Sequence, residues 1–164
     1  MLLPSKPLLL KARRKKYAVP AFNINNLEIL KAVMDAAVEM RSPVILQTSE
    51  GAIGYAGMDY LVAMVRVAAQ AKVPVVLHLD HGKDLAIIRE AIRSGYTSVM
   101  FDGSALPYKD NVQKTRKVVG WARKKNVSVE AALGLRAGIE EFVSVSEKHA
   151  ALSDPVEAAE FAER

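Results

Sequence analysis

Val73-Pro74-Val75-Val76-Leu77-His78-Leu79 runs without a break into Asp80-His81-Gly82-Lys83-Asp84, and this join decides how the chain is read. A nearly continuous apolar run is the pattern of a strand covered on both faces. It ends on a carboxylate, an imidazole and a glycine. Asp84 then opens an amphipathic run through Ile87, Ile88 and Ala91-Ile92 that stops near Ser94-Gly95. The stretch is therefore one βα unit that delivers chemistry at the C-terminal end of its strand.

The same unit recurs on either side. Further strands are expected at Ala18–Phe22, Pro43–Gln47, Ser98–Phe101 and Val127–Ala131, with centres roughly 25–30 residues apart. That spacing suits parallel strands joined by crossover helices. Amphipathic stretches fill the intervals. Asn26 to Arg41 carries Ile29, Leu30, Val33 and Ala37 on one face, with Asn25 or Asn26 as N-cap. Asp59 to Lys72 carries Leu61, Met64, Val65 and Ala68, and Tyr108 to Lys125 carries Val112, Val119 and Ala122. Asp154-Pro155 starts a last helix. Two α/β architectures accept this pattern: an open doubly wound sheet, or part of a (β/α)8 barrel with about five βα units. No Gly-rich phosphate fingerprint follows the first strand, where Asn23-Ile24-Asn25-Asn26 stands instead, which argues against a nucleotide-binding doubly wound fold.

At 164 residues the chain suits a single domain, residues 1–164, with a sizeable core. With no cysteine there is neither a disulfide framework nor a thiolate metal ligand, which suits a reducing compartment. No signal-peptide pattern or membrane-length apolar run is present, so the expected protein is cytoplasmic, with no membrane partner. The formal charge is +5 and the densest basic run is Lys11-Ala12-Arg13-Arg14-Lys15-Lys16. No aromatic residue interleaves with these charges, so they read as the end of a first helix rather than as a nucleic-acid surface. A modest positive balance also suits phosphorylated anions.

Polar residues gather where the expected strands end: Asn23, Gln47-Thr48-Ser49-Glu50-Gly51, Asp80-His81-Gly82, Asp102-Gly103-Ser104 and, after the fifth strand, Gly134. Ligands bind at that end of the sheet in both architectures. Period two places His78 and Asp80 on one face, while His81 is expected at the turn, its ring aimed back over the site. A neutral imidazole there suits zinc, Asp102 can orient it or bind metal itself, and Asp80 is placed to exchange protons with a substrate oxygen. His78 reads as a satisfied histidine within the strand layer, and His149 as an exposed loop residue.

Taken in order, Tyr17–Asn23, Ser42–Gly51, His78-Leu79-Asp80-His81-Gly82, Ser98–Ser104 and Ser128-Val129-Glu130-Ala131 resemble the class II, metal-dependent fructose-bisphosphate aldolases and their tagatose- and ketose-bisphosphate relatives. The resemblance runs over essentially the whole chain. It implies a (β/α)8 barrel, a Zn2+ cofactor, a homo-oligomer and a phosphorylated sugar substrate. The implied reaction is reversible cleavage of fructose 1,6-bisphosphate to dihydroxyacetone phosphate and glyceraldehyde 3-phosphate through a zinc-stabilised enediolate. By motif, Asp80 resembles the catalytic aspartate and His81 the first zinc histidine. Asp102 resembles a carboxylate of a secondary metal position, and Asn23, Gln47 and Ser49 resemble polar residues near substrate. Glu140 falls in the loop where the family carries a proton-abstracting glutamate.

The chain also departs from the family. Ala132 stands where the pattern Val-Glu-Ala-Glu-Leu-Gly has a second, metal-associated glutamate, and Leu135-Arg136 is transposed. Two further zinc histidines and the phosphate-binding loops belong to strands six to eight, and this chain ends at Arg164, where strand six is due. The resemblance therefore implies the N-terminal part of an aldolase barrel, inactive by itself. The alternative is a non-catalytic truncated or engineered half-barrel that self-associates.

Overall fold

The computed structural model of the chain describes residues 1–134, 138–140, 143–145 and 153–164. In chain order the elements are α1 (Ser5–Lys15), β1 (Ala21–Asn23), α2 (Leu27–Glu39), β2 (Val44–Thr48), α3 (Glu50–Ala56), α4 (Met58–Ala68), β3 (Val75–Gly82), α5 (Leu85–Ser94), β4 (Ser98–Phe101), α6 (Tyr108–Arg123), β5 (Ser128–Ala131), β6 (Gly138–Glu140), β7 (Val143–Val145) and α7 (Pro155–Glu163). Strands β1 to β5 form one parallel sheet whose spatial order is their chain order. A doubly wound sheet reverses its order at a switch point and carries helices on both faces. This order never reverses, and α2, α4, α5 and α6 join a single cluster with one face of the sheet. The five βα units are a segment of a (β/α)8 barrel, and the doubly wound alternative is excluded.

The two faces of the sheet are built differently. Toward the helices point Val44, Leu46, Val75, Leu77, Leu79, Val99 and Phe101, which meet Leu30, Met34, Val62, Val65, Ile88, Ile92, Val118 and Ala122 in the main core. The opposite face corresponds to the inside of a barrel. At its N-terminal end Ile45 and Val76 pack on Leu8 of α1. Helix α1 is also tied to that face by hydrogen bonds between Ser5 Oγ and Ser98 Oγ at 2.9 Å and from Lys6 N–H to Ser128 Oγ at 2.9 Å. It covers the N-terminal end of the inner face and leaves the C-terminal end open.

Local signals fix most boundaries. Asn26 caps α2 by accepting from Ile29 N–H, Asp84 caps α5 by accepting from Ala86 N–H, and Asp154 caps α7 by accepting from Val156 and Glu157 N–H. Gly95, at φ 112°, ends α5 in a backbone region that favours glycine. The basic run does lie in the last turn of α1, where Arg13, Arg14 and Lys15 complement the helix dipole.

Some expectations give way. Ile29 is 41% exposed and Met34 is buried in its place, because the buried stripe of α2 is Leu30, Met34 and Ala37. On α6 the buried stripe is Asn111, Val118 and Ala122, with Val112 and Val119 at its margin. Helix α3 and the antiparallel β6–β7 pair were not expected. His149, Leu135 and Arg136 lie outside the described residues.

Leu77 sits in the middle strand of the sheet with no exposed surface. Replacing it with alanine removes buried methyl groups and leaves a cavity. Leu77→Ala is expected to lower the unfolding free energy by about 2–5 kcal/mol, measured as a lower urea midpoint at unchanged slope.

Candidate active site

The register between β3 and β4 breaks at one place. Leu79 pairs with Val99 and Gly82 with Phe101, so Asp80 and His81 together face the single residue Met100. Such a bulge interrupts the alternation of side chains, and two successive residues then serve one face. Asp80 and His81 both line the cleft at the C-terminal end of the inner face, along with Gln47, Asp102 and Glu130. The irregularity needs unusual backbone: His81 has φ 47°, a left-handed value that a side chain with a Cβ seldom adopts. It also needs Gly82. A Cβ there would come within 2.8 Å of Met100 O, 2.9 Å of Ile88 Cγ1 and 3.0 Å of Leu79 Cδ2. His81, expected at a turn, is thus inside the strand, and the bulge rather than a loop aims its ring.

Each member of the pair has its own support. The Gln47 side-chain amide donates to Asp80 Oδ2 at 2.7 Å and to Asn23 Oδ1 at 2.6 Å. The ends of β1, β2 and β3 are thereby linked through one amide. His81 Nδ1 lies 2.9 Å from Asp102 Oδ2, and Asp102 Oδ1 accepts from Ser104 Oγ–H at 2.6 Å and Ser104 N–H at 3.1 Å. Burial pushes the Asp102 carboxyl up, but the hydrogen bonds from Ser104 and His81 outweigh it and hold the carboxyl below its ordinary value. An ionised carboxylate only accepts, so Nδ1 of His81 carries a proton and donates it to Asp102. A carboxylate behind a histidine is the arrangement that orients a metal-binding imidazole.

Beneath the pair lies His78, buried, with Nδ1 2.8 Å from Ser98 Oγ. Its Nε2 is 3.7 Å from Glu130 Oε2 and 4.0 Å from Asp80 Oδ1. Burial, with a smaller contribution from His81, pulls the His78 pKa down to about 4, so at neutral pH the ring is uncharged. Burial and the neighbouring Asp80 push the Glu130 carboxyl up, against an opposing pull from His81.

The structure brings Asn23, Gln47, Asp80, His81 and Asp102 together. Ser49 stands apart as the N-cap of α3, its Oγ accepting from Ala52 N–H at 3.1 Å, and it does not line the cleft. Glu140, expected in a loop, ends strand β6, where its backbone pairs with Val143. Sequence reasoning passed over Glu130 and Glu50. Glu130 is recoverable from period two, since it shares its face with Ser128 and pairs with Met100. Glu50, whose Oε1 accepts from Lys83 and Asp84 N–H at 2.7 and 2.8 Å, leaves no local signal. His78 is hydrogen-bonded inside the strand layer, as expected, yet it also contacts the site.

The shifted groups give a pH dependence of stability. His78 binds a proton below about 6.5 in the unfolded chain but only below about 4 when folded, so the unfolded chain holds more protons in between. Stability therefore falls as pH drops through that window, by up to about 3 kcal/mol from this residue. Asp102 acts lower: its contribution is intact above 3.8 and is lost only as pH falls through its depressed folded value. Urea unfolding at pH 7 and pH 4.5 is expected to show the His78 loss, and His78→Gln to remove most of it.

Among the described residues, no three His, Cys, Asp or Glu side chains form a group able to hold a metal ion. Nor is any described helix long and apolar enough to cross a membrane. Over its full length the chain is 48% identical to a fructose-bisphosphate aldolase of Thermus caldophilus, of which it covers 54%. It is 43% identical to the D-tagatose-1,6-bisphosphate aldolase subunit GatY of Klebsiella oxytoca, with 99% of this chain and 58% of that protein aligned. The crystal structure of the YdjI aldolase from Escherichia coli K12 superimposes with a TM-score of 0.85 at 35% identity, covering 99% of this chain and 57% of that one. The chain spans about half the length of the curated relatives it matches. The family model for class-II fructose-bisphosphate aldolase matches residues 4–164, and the protein belongs to that family.

Proposed function

We propose that this chain carries the acid/base side and the first metal ligand of a class II aldolase acting on fructose 1,6-bisphosphate. The observation that carries the reading is the bulge that sets Asp80 and His81 side by side on one cleft, each with its own supporting partner. Asp80, steadied by Gln47, takes the proton of the substrate hydroxyl whose oxygen becomes the aldehyde as the carbon–carbon bond breaks, and returns it in condensation. His81, backed by Asp102, is the zinc ligand, while Asn23 and Gln47 serve substrate oxygens; Ser49, engaged as the cap of α3, enters on the family resemblance alone. Glu140 enters as the proton-abstracting residue on the family resemblance alone. The products are dihydroxyacetone phosphate and glyceraldehyde 3-phosphate, and the setting is cytoplasmic.

The described residues do not by themselves fit a zinc ion, which takes three protein ligands in a catalytic site. His81 is one, and Ala132 offers a methyl group at the end of β5. These 164 residues alone are therefore inferred to have no turnover. Among the described residues, no strand pairs with the outer edges of β1 and β5, which favours a second property, self-association. All three residues of β1 are exposed, and Phe22 is 47% exposed. Unpaired edges of this kind seek another chain.

Fused to the remaining barrel units of the Thermus caldophilus relative, the chain is expected to cleave fructose 1,6-bisphosphate, with Asp80→Ala lowering kcat by about 10²- to 10⁴-fold. A folded, zinc-loaded fusion without cleavage, or with cleavage indifferent to Asp80→Ala, would refute the aldolase reading. For the chain alone, light scattering is expected to give a dimer or larger; a well-folded monomer would refute self-association.

A further inference from the structure

We propose that Glu50 is a positioning residue for His81: its carboxylate holds the strained end of β3 in the backbone course that aims the ring at Asp102 and the cleft. The inference deepens the proposed active site and takes its functional meaning from that reading.

A non-glycine residue at φ 47° is strained and persists only where its surroundings over-determine it. Three restraints surround His81. Before it, Gln47 holds Asp80 at 2.7 Å. After it, Gly82 is packed so closely that a Cβ would come within 2.8 Å of Met100 O. The third restraint is Glu50. One oxygen, Oε1, accepts from two successive amides, Lys83 N–H at 2.7 Å and Asp84 N–H at 2.8 Å. Both bonds are short and end on a carboxylate, the stronger class of hydrogen bond. Asp84 in turn caps α5 through Ala86 N–H at 2.7 Å, so the carboxylate also fixes where the next helix starts.

The geometry makes β2 the support for β3. Gln47 lies in β2 and Glu50 is the first residue of α3, just beyond it. From these two positions, side chains reach across to the residue before His81 and to the two residues that follow Gly82. The strained residue is bracketed from one neighbouring βα unit, β2 and the start of α3. A glutamate in the first turn of a helix complements the helix dipole without any distant partner. That reading leaves unexplained why the carboxylate is joined to two amides 33 and 34 residues away.

The test reads His81 directly in the 164-residue chain, by NMR of the imidazole N–H shared with Asp102 and by exchange of the Lys83 and Asp84 amides. Only 3 histidines are present, which keeps assignment simple. Glu50→Gln keeps an oxygen that accepts the same two bonds, and is expected to preserve the ring signal and the slow exchange. Glu50→Ala is expected to shift or broaden the His81 ring signal and to speed exchange of both amides about 10-fold or more. A folded Glu50→Ala chain with an unchanged His81 ring signal, even at a lower Tm, overturns the inference. Equal loss in Glu50→Gln and Glu50→Ala overturns it too, because charge and not the two bonds would then be responsible. Should Glu50→Ala not fold, Glu50→Asp, one methylene short of the two amides, is judged by the same ring signal. Because no turnover is measured, failure here leaves the roles of Asp80 and His81 standing, and failure of the aldolase assay leaves this result intact.

Discussion

Two residues of β3, Asp80 and His81, stand against one residue of β4, Met100, and the rest of the site is arranged around that mismatch. In a regular strand the two would point to opposite faces, and His81 would be directed into the helix-side core. The bulge gives the cleft both a carboxylate and an imidazole from adjacent positions. Its cost is a left-handed backbone at His81 and a position, Gly82, that admits no side chain. The short bonds around it, from Gln47, Glu50 and Asp102, are the counterweight.

The inner face explains why this end of the sheet and not the other carries the chemistry. At the N-terminal end, α1 sets Leu8 on Ile45 and Val76 and makes a small apolar layer. One step along each strand the layer becomes polar. Ser5, Ser98 and His78 form a chain of hydrogen bonds from the helix to the floor of the cleft. An uncharged His78 satisfies Ser98 on one side and presents its other nitrogen toward Asp80 and Glu130. Buried polar groups are tolerated when each has a partner, and this chain of partners lets a polar site lie directly on a packed layer.

How much of this was legible in the sequence depends on the distance over which each signal acts. The helix caps Asn26, Asp84 and Asp154 act within three residues, and the sequence reveals them. Continuous apolar strands told of a sheet covered on both faces, but not of its order, which is a property of pairing between distant segments. Asp80 and His81 were recognisable as a pair at a strand end. The bulge was not, because it is a mismatch between β3 and β4 and neither strand contains it alone. Glu50 stood out only as one of the polar residues after the second strand, and its role was hidden for the same reason: its partners are 33 and 34 residues away. The buried stripe of α6 misled because Asn111 is polar. Its side chain donates to Ala132 O at 2.9 Å and accepts from Thr115 Oγ1 at 3.2 Å, and only this makes its burial tolerable.

Asn111 also bears on what Asp102 does. Its side chain lies directly against Gly103, where a Cβ would collide with it and would come within 2.8 Å of Phe101 Cε1. Through Ala132 O it joins the end of β5 to the residue that follows Asp102. The strand end nearest Asp102 is therefore fixed by backbone and presents a methyl group, not a carboxylate, at Ala132. With no second acid there, the described surroundings of Asp102 are hydrogen-bond donors: Ser104 on one oxygen and His81 on the other. A carboxylate with a donor on each oxygen is suited to fixing the direction of the imidazole. The hydrogen bonds around Asp102 thus tie the direction of His81 to the end of β4 rather than to β3 alone.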